Sequence, residues 1–209
     1  MKNIAITKDM QSALSPSKVL DDLLEGNNRF VNGKSQSVDN SALAIQTVSG
    51  QFPKAVVLSC IDSRVPVETV LDQALGDIFV ARVAGNFENT DILGSLEYSC
   101  KAAGSKLVLV LGHESCGAVK AACDGVELGN ITAMLDNIMP AVRKSADEVE
   151  GEVNSSNKEL VAKTVENNVQ LTIDRIREKS PILKEMEENG EINIVGGIYM
   201  LSTRKVELL

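Results

Sequence analysis

Two short apolar runs constrain this chain more than anything else in it. Ala55-Val56-Val57-Leu58-Ser59 and Leu107-Val108-Leu109-Val110-Leu111 show no alternation of polar and apolar positions. A strand built this way must be covered on both faces, which is the situation of a parallel sheet held between helical layers. The rest of the chain alternates accordingly. Strands are predicted over residues 78–84, 106–112 and 192–200, with an edge strand over 205–208. Helices are predicted over 67–73, 90–103, 116–123, 130–148 and 158–179. The last of these carries Val161, Val165, Val169, Ile173 and Ile176 at helical spacing, and Ser180-Pro181 stops it. The expected class is α/β: a mainly parallel central sheet with an antiparallel edge strand, helices on both faces and an N-terminal helical arm.

A length of 209 residues suits one domain over 1–209, divided into an arm over 1–50 and an α/β core over 51–209. The first fifteen residues read as a loose arm. Ser15-Pro16 then starts a helix, with Ser15 as N-cap and Pro16 in the first turn, and Val19, Leu20, Leu23, Leu24 and Phe30 form its apolar stripe up to Gly33. That stripe must be buried on the chain's own sheet or on a second subunit.

The segments that follow the two apolar runs carry the chemistry. Cys60-Ile61-Asp62-Ser63-Arg64 follows the first, and His113-Glu114-Ser115-Cys116 the second. Ligands of open α/β sheets bind outside the carboxyl ends of the strands, so neighbouring strands would bring Cys60, His113 and Cys116 to one point. Two thiolates and an imidazole suit zinc. The spacing is unlike that of zinc fingers, and three ligands with a free or conditionally filled fourth position is the catalytic pattern. A structural zinc, or buried cysteines beside a core histidine, would use the same residues. Asp62 is the candidate fourth ligand. Alternatively Arg64, two positions on, holds Asp62 off the metal and leaves that position to water. Cys100 and Cys123 lack such context and read as buried small side chains.

Composition excludes other classes. A net charge of −8 argues against nucleic acid or an anionic membrane as partner. No stretch approaches the roughly 20 apolar residues of a membrane span. The first residues lack a signal-peptide core, and four cysteines are too few for a disulfide scaffold, so a cytoplasmic protein is expected.

Taken together, Cys60-Ile61-Asp62-Ser63-Arg64-Val65-Pro66, the stretch from Gly76 to Asn86, Ser95-Leu96-Glu97-Tyr98 and Gly112-His113-Glu114-Ser115-Cys116-Gly117-Ala118 resemble the β-class carbonic anhydrases. The likeness runs from Gly26-Asn27-Asn28-Arg29-Phe30 to Gly197-Ile198-Tyr199. It implies a lyase that hydrates carbon dioxide reversibly to bicarbonate and a proton, with one zinc per chain. It also implies a homodimer, in some members paired into a tetramer, with sites at the subunit interface. By the same resemblance Cys60, His113 and Cys116 match the zinc ligands, and Asp62 and Arg64 the dyad that keeps the fourth position open. Gln51 matches a substrate donor, Gly117 a backbone donor, and Phe79, Ala84 and Tyr98 the apolar pocket, partly supplied by the partner chain. Some members let the aspartate bind zinc and hold bicarbonate in a regulatory pocket, using a tryptophan and a glycine where this chain has Val57 and Ser59. The freely open subtype is therefore expected. Ile61 replaces a commoner serine or alanine, and Ala84 is smaller than the valine of some members. Carbonyl sulfide or carbon disulfide hydrolysis shares the same ligand set.

Overall fold

The computed structural model describes residues 2–209, and its centre is the strand β1 (Ala55–Ser59). All five of its residues are buried. Alternate side chains leave opposite faces of a strand, and here each set meets its own helical layer. Val56 and Leu58, with Val108 and Val110, face Val169, Ile173, Ile176 and Leu183. Ala55 and Val57, with Leu107, Leu109 and Leu111, face Val19, Leu23, Val67 and Val70. Burying each such side chain contributes roughly 1.5–3 kcal/mol, and no polar face is left over.

Parallel partners flank β1 on both sides: β2 (Ile78–Arg82) and β3 (Leu107–His113). Beyond β3 lie parallel β4 (Asn193–Tyr199) and antiparallel β5 (Val206–Leu208). The spatial order is β2-β1-β3-β4-β5, so the expected mainly parallel sheet with an antiparallel edge strand is present. β2 is paired on one side only and is no more than half-buried along its length.

The N-terminal segment is more ordered than a loose arm. It forms α1 (Lys8–Ser12), and Lys2 bridges to Val38. α2 (Pro16–Val31) begins as expected, Ser15 accepting from the Lys18 N–H, and it buries its stripe on the chain's own sheet. A further helix, α3 (Asn40–Gln46), precedes β1. α4 (Val67–Val70) is a single turn. The helix expected over 90–103 is α5 (Thr90–Glu97), widened into a π-helical turn over Tyr98–Ala102. After α6 (Gly117–Cys123), the helix expected over 130–148 divides into α7 (Gly129–Leu135) and α8 (Met139–Glu148). Pro140 is the reason: inside one long helix it would lack an N–H and clash with the preceding turn, whereas in the first turn of α8 it costs nothing.

α9 (Lys158–Lys179) crosses the sheet. It sits close because β3 and β4 offer glycine beneath it: a Cβ on Gly112 would lie 2.7 Å from Val169. Ser180 ends α9 and also caps α10 (Pro181–Glu188), accepting from the Leu183 N–H, so the same Ser-Pro pair both stops one helix and starts the next. No described helix is long and apolar enough to cross a membrane.

Candidate metal centre

Register places the chemistry. Ser59 at the end of β1 pairs with Leu111 of β3, so Cys60 emerges beside Gly112 and His113. The backbone then turns through Ser115, whose φ of 57° is left-handed, and returns Cys116 at the start of α6. The ligand atoms of Cys60, His113 and Cys116 all lie within 4.8 Å of one another, and all three residues are buried.

His113 is oriented for ligation. Its Nδ1 lies 3.0 Å from the Glu114 carbonyl oxygen. That oxygen can only accept, so Nδ1 carries the proton and Nε2 presents its lone pair. Nε2 is buried and has no hydrogen-bond partner among the described residues. A buried acceptor left so is costly, and a cation bound between it and the sulfurs removes that cost. Metal-bound histidines are held in this way through their other nitrogen.

The sulfurs of Cys60 and Cys116 are 3.9 Å apart. The Cys60 thiol is lowered, chiefly by its hydrogen bond with Cys116; burial opposes this, while the Gly85 N–H, 3.3 Å from Sγ, assists it. The Cys116 thiol is raised by the same shared bond and by burial. Two buried sulfurs this close disfavour two neighbouring thiolates, and a soft divalent cation between them would relieve that repulsion.

Asp62 stands beside this trio without joining it. Its Oδ2 lies 3.8 Å from His113 Nε2. Arg64 occupies both carboxylate oxygens: Nη2 donates to Oδ2 at 2.8 Å, and Nε and the backbone N–H donate to Oδ1 at 3.0 and 2.9 Å. The guanidinium bonds hold the Asp62 carboxyl well below the usual carboxylate range. Paired bonds of this kind fix direction as well as charge. Arg82, which the motif reading passed over, supports the loop from β2, donating to the carbonyl oxygens of Cys60 and Asp62 at 2.8 and 2.7 Å.

The remaining residues singled out in the sequence fall into two places. Gly117 opens α6 next to Cys116. Ala84 lies in the turn whose Gly85 N–H reaches Cys60. Gln51, Phe79 and Tyr98 lie elsewhere. Phe79 pairs in register with Val56, four residues before Cys60, or about 13 Å along the strand. The Phe79 and Tyr98 rings meet edge to face at 6.1 Å. They line an open groove of about 700 Å³ along the free edge of the sheet. A neighbouring groove of about 550 Å³ holds Gln51 beside Tyr98. One chain therefore gathers the metal-binding residues at the carboxyl ends of its strands, and presents Gln51, Phe79 and Tyr98 at the other end beside bare β2.

A parallel sheet that delivers cysteine, histidine and cysteine beyond its carboxyl edge, with an arginine-clamped aspartate alongside, defines a metal-binding α/β protein. The family model described as carbonic anhydrase matches residues 55–206. Carbonic anhydrase 2 of Mycobacterium tuberculosis is 36% identical over 195 residues, covering 89% of each chain. The solved β-carbonic anhydrase of Coccomyxa, in complex with acetazolamide, superposes with a TM-score of 0.74 at 26% identity, over 91% of this chain and 86% of that one. A tetrameric β-carbonic anhydrase of Sordaria macrospora shares the fold, with a TM-score of 0.72 at 24% identity over 91% and 96% of the two chains. The chain belongs to the carbonic anhydrase family, in its β class.

Proposed function

We propose that this chain is a zinc-dependent lyase that hydrates carbon dioxide reversibly to bicarbonate and a proton. The observation that carries the reading is the buried trio of Cys60, His113 and Cys116 with Asp62 clamped beside it. Cys60, His113 and Cys116 would hold one zinc per chain, and bound zinc supplies a Lewis acid that lowers the pKa of water toward ~7. The donor set fits: two soft sulfurs and a histidine nitrogen that lacks any other partner.

Asp62 is the acceptor at the mouth of the site. Arg64 takes the carboxylate's outward directions, so Asp62 stays ionised, stays off the metal and accepts a hydrogen bond from the attacking oxygen, aiming that oxygen's lone pair at carbon dioxide. The Gly117 N–H and the Gln51 side chain donate to the oxygen on which charge develops. Ala84, Phe79 and Tyr98 give carbon dioxide an apolar wall. The separation of Gln51, Phe79 and Tyr98 from the metal-binding residues of their own chain supports a homodimer formed across β2, in which each site borrows these three from its partner. Two such dimers would make a tetramer, the state named for the Sordaria protein. Residues 51–209 form the zinc-binding core and 1–50 its arm. Four unpaired cysteines suit the reducing cytoplasm.

The test is carbon dioxide hydration by stopped flow, with and without a chelator, alongside zinc stoichiometry. One zinc per chain with hydration abolished by the chelator is expected. Full zinc with no hydration across roughly pH 6–9, a range around the expected water pKa, sinks the proposal. Asp62→Asn should keep zinc and lose turnover; undiminished turnover removes Asp62 from its role.

A further inference from the structure

Asn168 lies in the middle of α9, between residues that face the core. It is 1% exposed. Neighbouring Val165 and Val169 are buried apolar side chains, and an apolar residue would fill the same space. Instead the side chain donates from Nδ2 to the Gly85 carbonyl oxygen at 2.7 Å, while its own Oδ1 is buried with no partner among the described residues. A half-satisfied buried amide is destabilising relative to a fully bonded one, so packing does not account for it.

The bond it does make has a consequence. Gly85 sits in a tight turn closed by the Asn86 N–H on the Val83 carbonyl oxygen at 3.0 Å, with a φ of +85°. Glycine is the least restricted residue of such a turn. The peptide before Gly85 donates its N–H to Cys60 Sγ at 3.3 Å; the peptide after it is the one Asn168 holds. Fixing the second plane restricts rotation of the first. The same side of α9 anchors the far end of this loop: buried Glu88 accepts from Lys179 at 2.8 Å and is ion-paired with Arg175 at 3.1 Å. Positions 168, 175 and 179 repeat at helical spacing.

We infer that Asn168 is a positioning residue of the metal centre: through the Gly85 turn it holds an N–H on the Cys60 sulfur and so sets that ligand's orientation and charge donation. The inference rests on the proposed role of Cys60 as a metal ligand. A thiolate relieved of its hydrogen bond donates more charge to the metal, which the spectrum reads, but it also loses its fixed direction; that loss of orientation is what loosens the ion, and partners of this outer kind typically govern affinity by about 10- to 100-fold.

The experiment uses full-length protein loaded with cobalt or zinc. In Asn168→Leu, and in Asn168→Asp, which keeps the volume and loses the donor, the sulfur-to-cobalt charge-transfer band moves to lower energy. Zinc passes to a chelator at least about tenfold faster. Thr172→Val, one turn along and with a buried hydroxyl that bonds to nothing among the described residues, leaves both unchanged. On the unaltered protein loaded with NMR-active cadmium, through-bond couplings link the Asn168 side-chain nitrogen to the Gly85 carbonyl carbon, and the Gly85 amide proton to the metal. A folded Asn168 variant with wild-type band and release rate, or absence of either coupling, overturns the inference. If the unaltered protein takes up no metal, the inference falls together with the zinc reading; if metal binds and these signatures are missing, the inference alone falls.

Discussion

Replacing Gly85 with alanine separates two costs that the structure makes visible. At a φ of +85° a residue with a Cβ is strained by roughly 1–2 kcal/mol. The added carbon would also lie 2.4 Å from Ile138 Cδ1, with Ile138 fully buried, and overpacking of this kind costs about 1–3 kcal/mol. Gly85→Ala should therefore lose about 2–5 kcal/mol. Ile138→Val deletes the offending Cδ1 and by itself costs about 0.5–1.5 kcal/mol. In the double variant the clash is gone and the strain remains, so the two changes should be less destabilising together than their sum by about 1–3 kcal/mol. The assay is urea unfolding of metal-free protein at one fixed chain concentration. Additivity within about 0.5 kcal/mol, or a Gly85→Ala cost below ~1 kcal/mol, would refute the geometry on which the reasoning stands. Because the Gly85 N–H lies on Cys60, Gly85→Ala should also release zinc faster.

Three further outcomes are expected. Cys60→Ala chains and Gln51→Ala/Tyr98→Ala chains, each inactive alone, should on joint refolding regain about a quarter of wild-type activity, since half the dimers are mixed and each holds one intact site; no recovery would place Gln51 and Tyr98 in their own chain's site. Cys100 is pushed up to about 12 by burial, while an unfolded thiol titrates near ~8.5. Above that pH the unfolded state binds fewer protons, so stability falls by up to about 1.4 kcal/mol per pH unit until the folded value is reached. Cys100→Ala should flatten the slope by that amount, and identical slopes in the two proteins would show that the thiol is not buried as described. Finally, His113 is the only histidine and is committed to the site, so proton export should depend on buffer; stopped-flow rates that do not rise with imidazole concentration would contradict this.

The metal centre was legible because strand ends announce themselves. Cys60 and His113 each follow or end an apolar run, and one register brings the runs side by side. The long α9 was equally plain, since its buried valines and isoleucines recur at helical spacing. The break before α8 does not show in the apolar pattern, which continues through Ile138 and reads as one helix although Pro140 marks the division. Ser180-Pro181 signals a stop, yet an N-cap serine followed by proline also opens α10. α1 and α3 have five and seven residues, too short for periodicity to build a signal. Asn168 and Arg82 left no trace of their roles: each acts through a backbone carbonyl distant in sequence, and no side-chain pattern encodes that contact.

The two edges of the sheet are protected very differently. β5 is three residues long, carries Glu207 and follows Lys205, features that discourage foreign strands. β2 runs Ile-Phe-Val-Ala before its first charge at Arg82, with no proline or lysine to blunt it. A newly folded single chain therefore carries a sticky, sequence-tolerant template that any extended segment can join. In the proposed dimer, assembly across β2 would serve solubility as well as catalysis. Substitutions that weaken pairing at β2 would be recovered in the insoluble fraction of a cell, where they would be mistaken for folding defects although the isolated chain is correctly made.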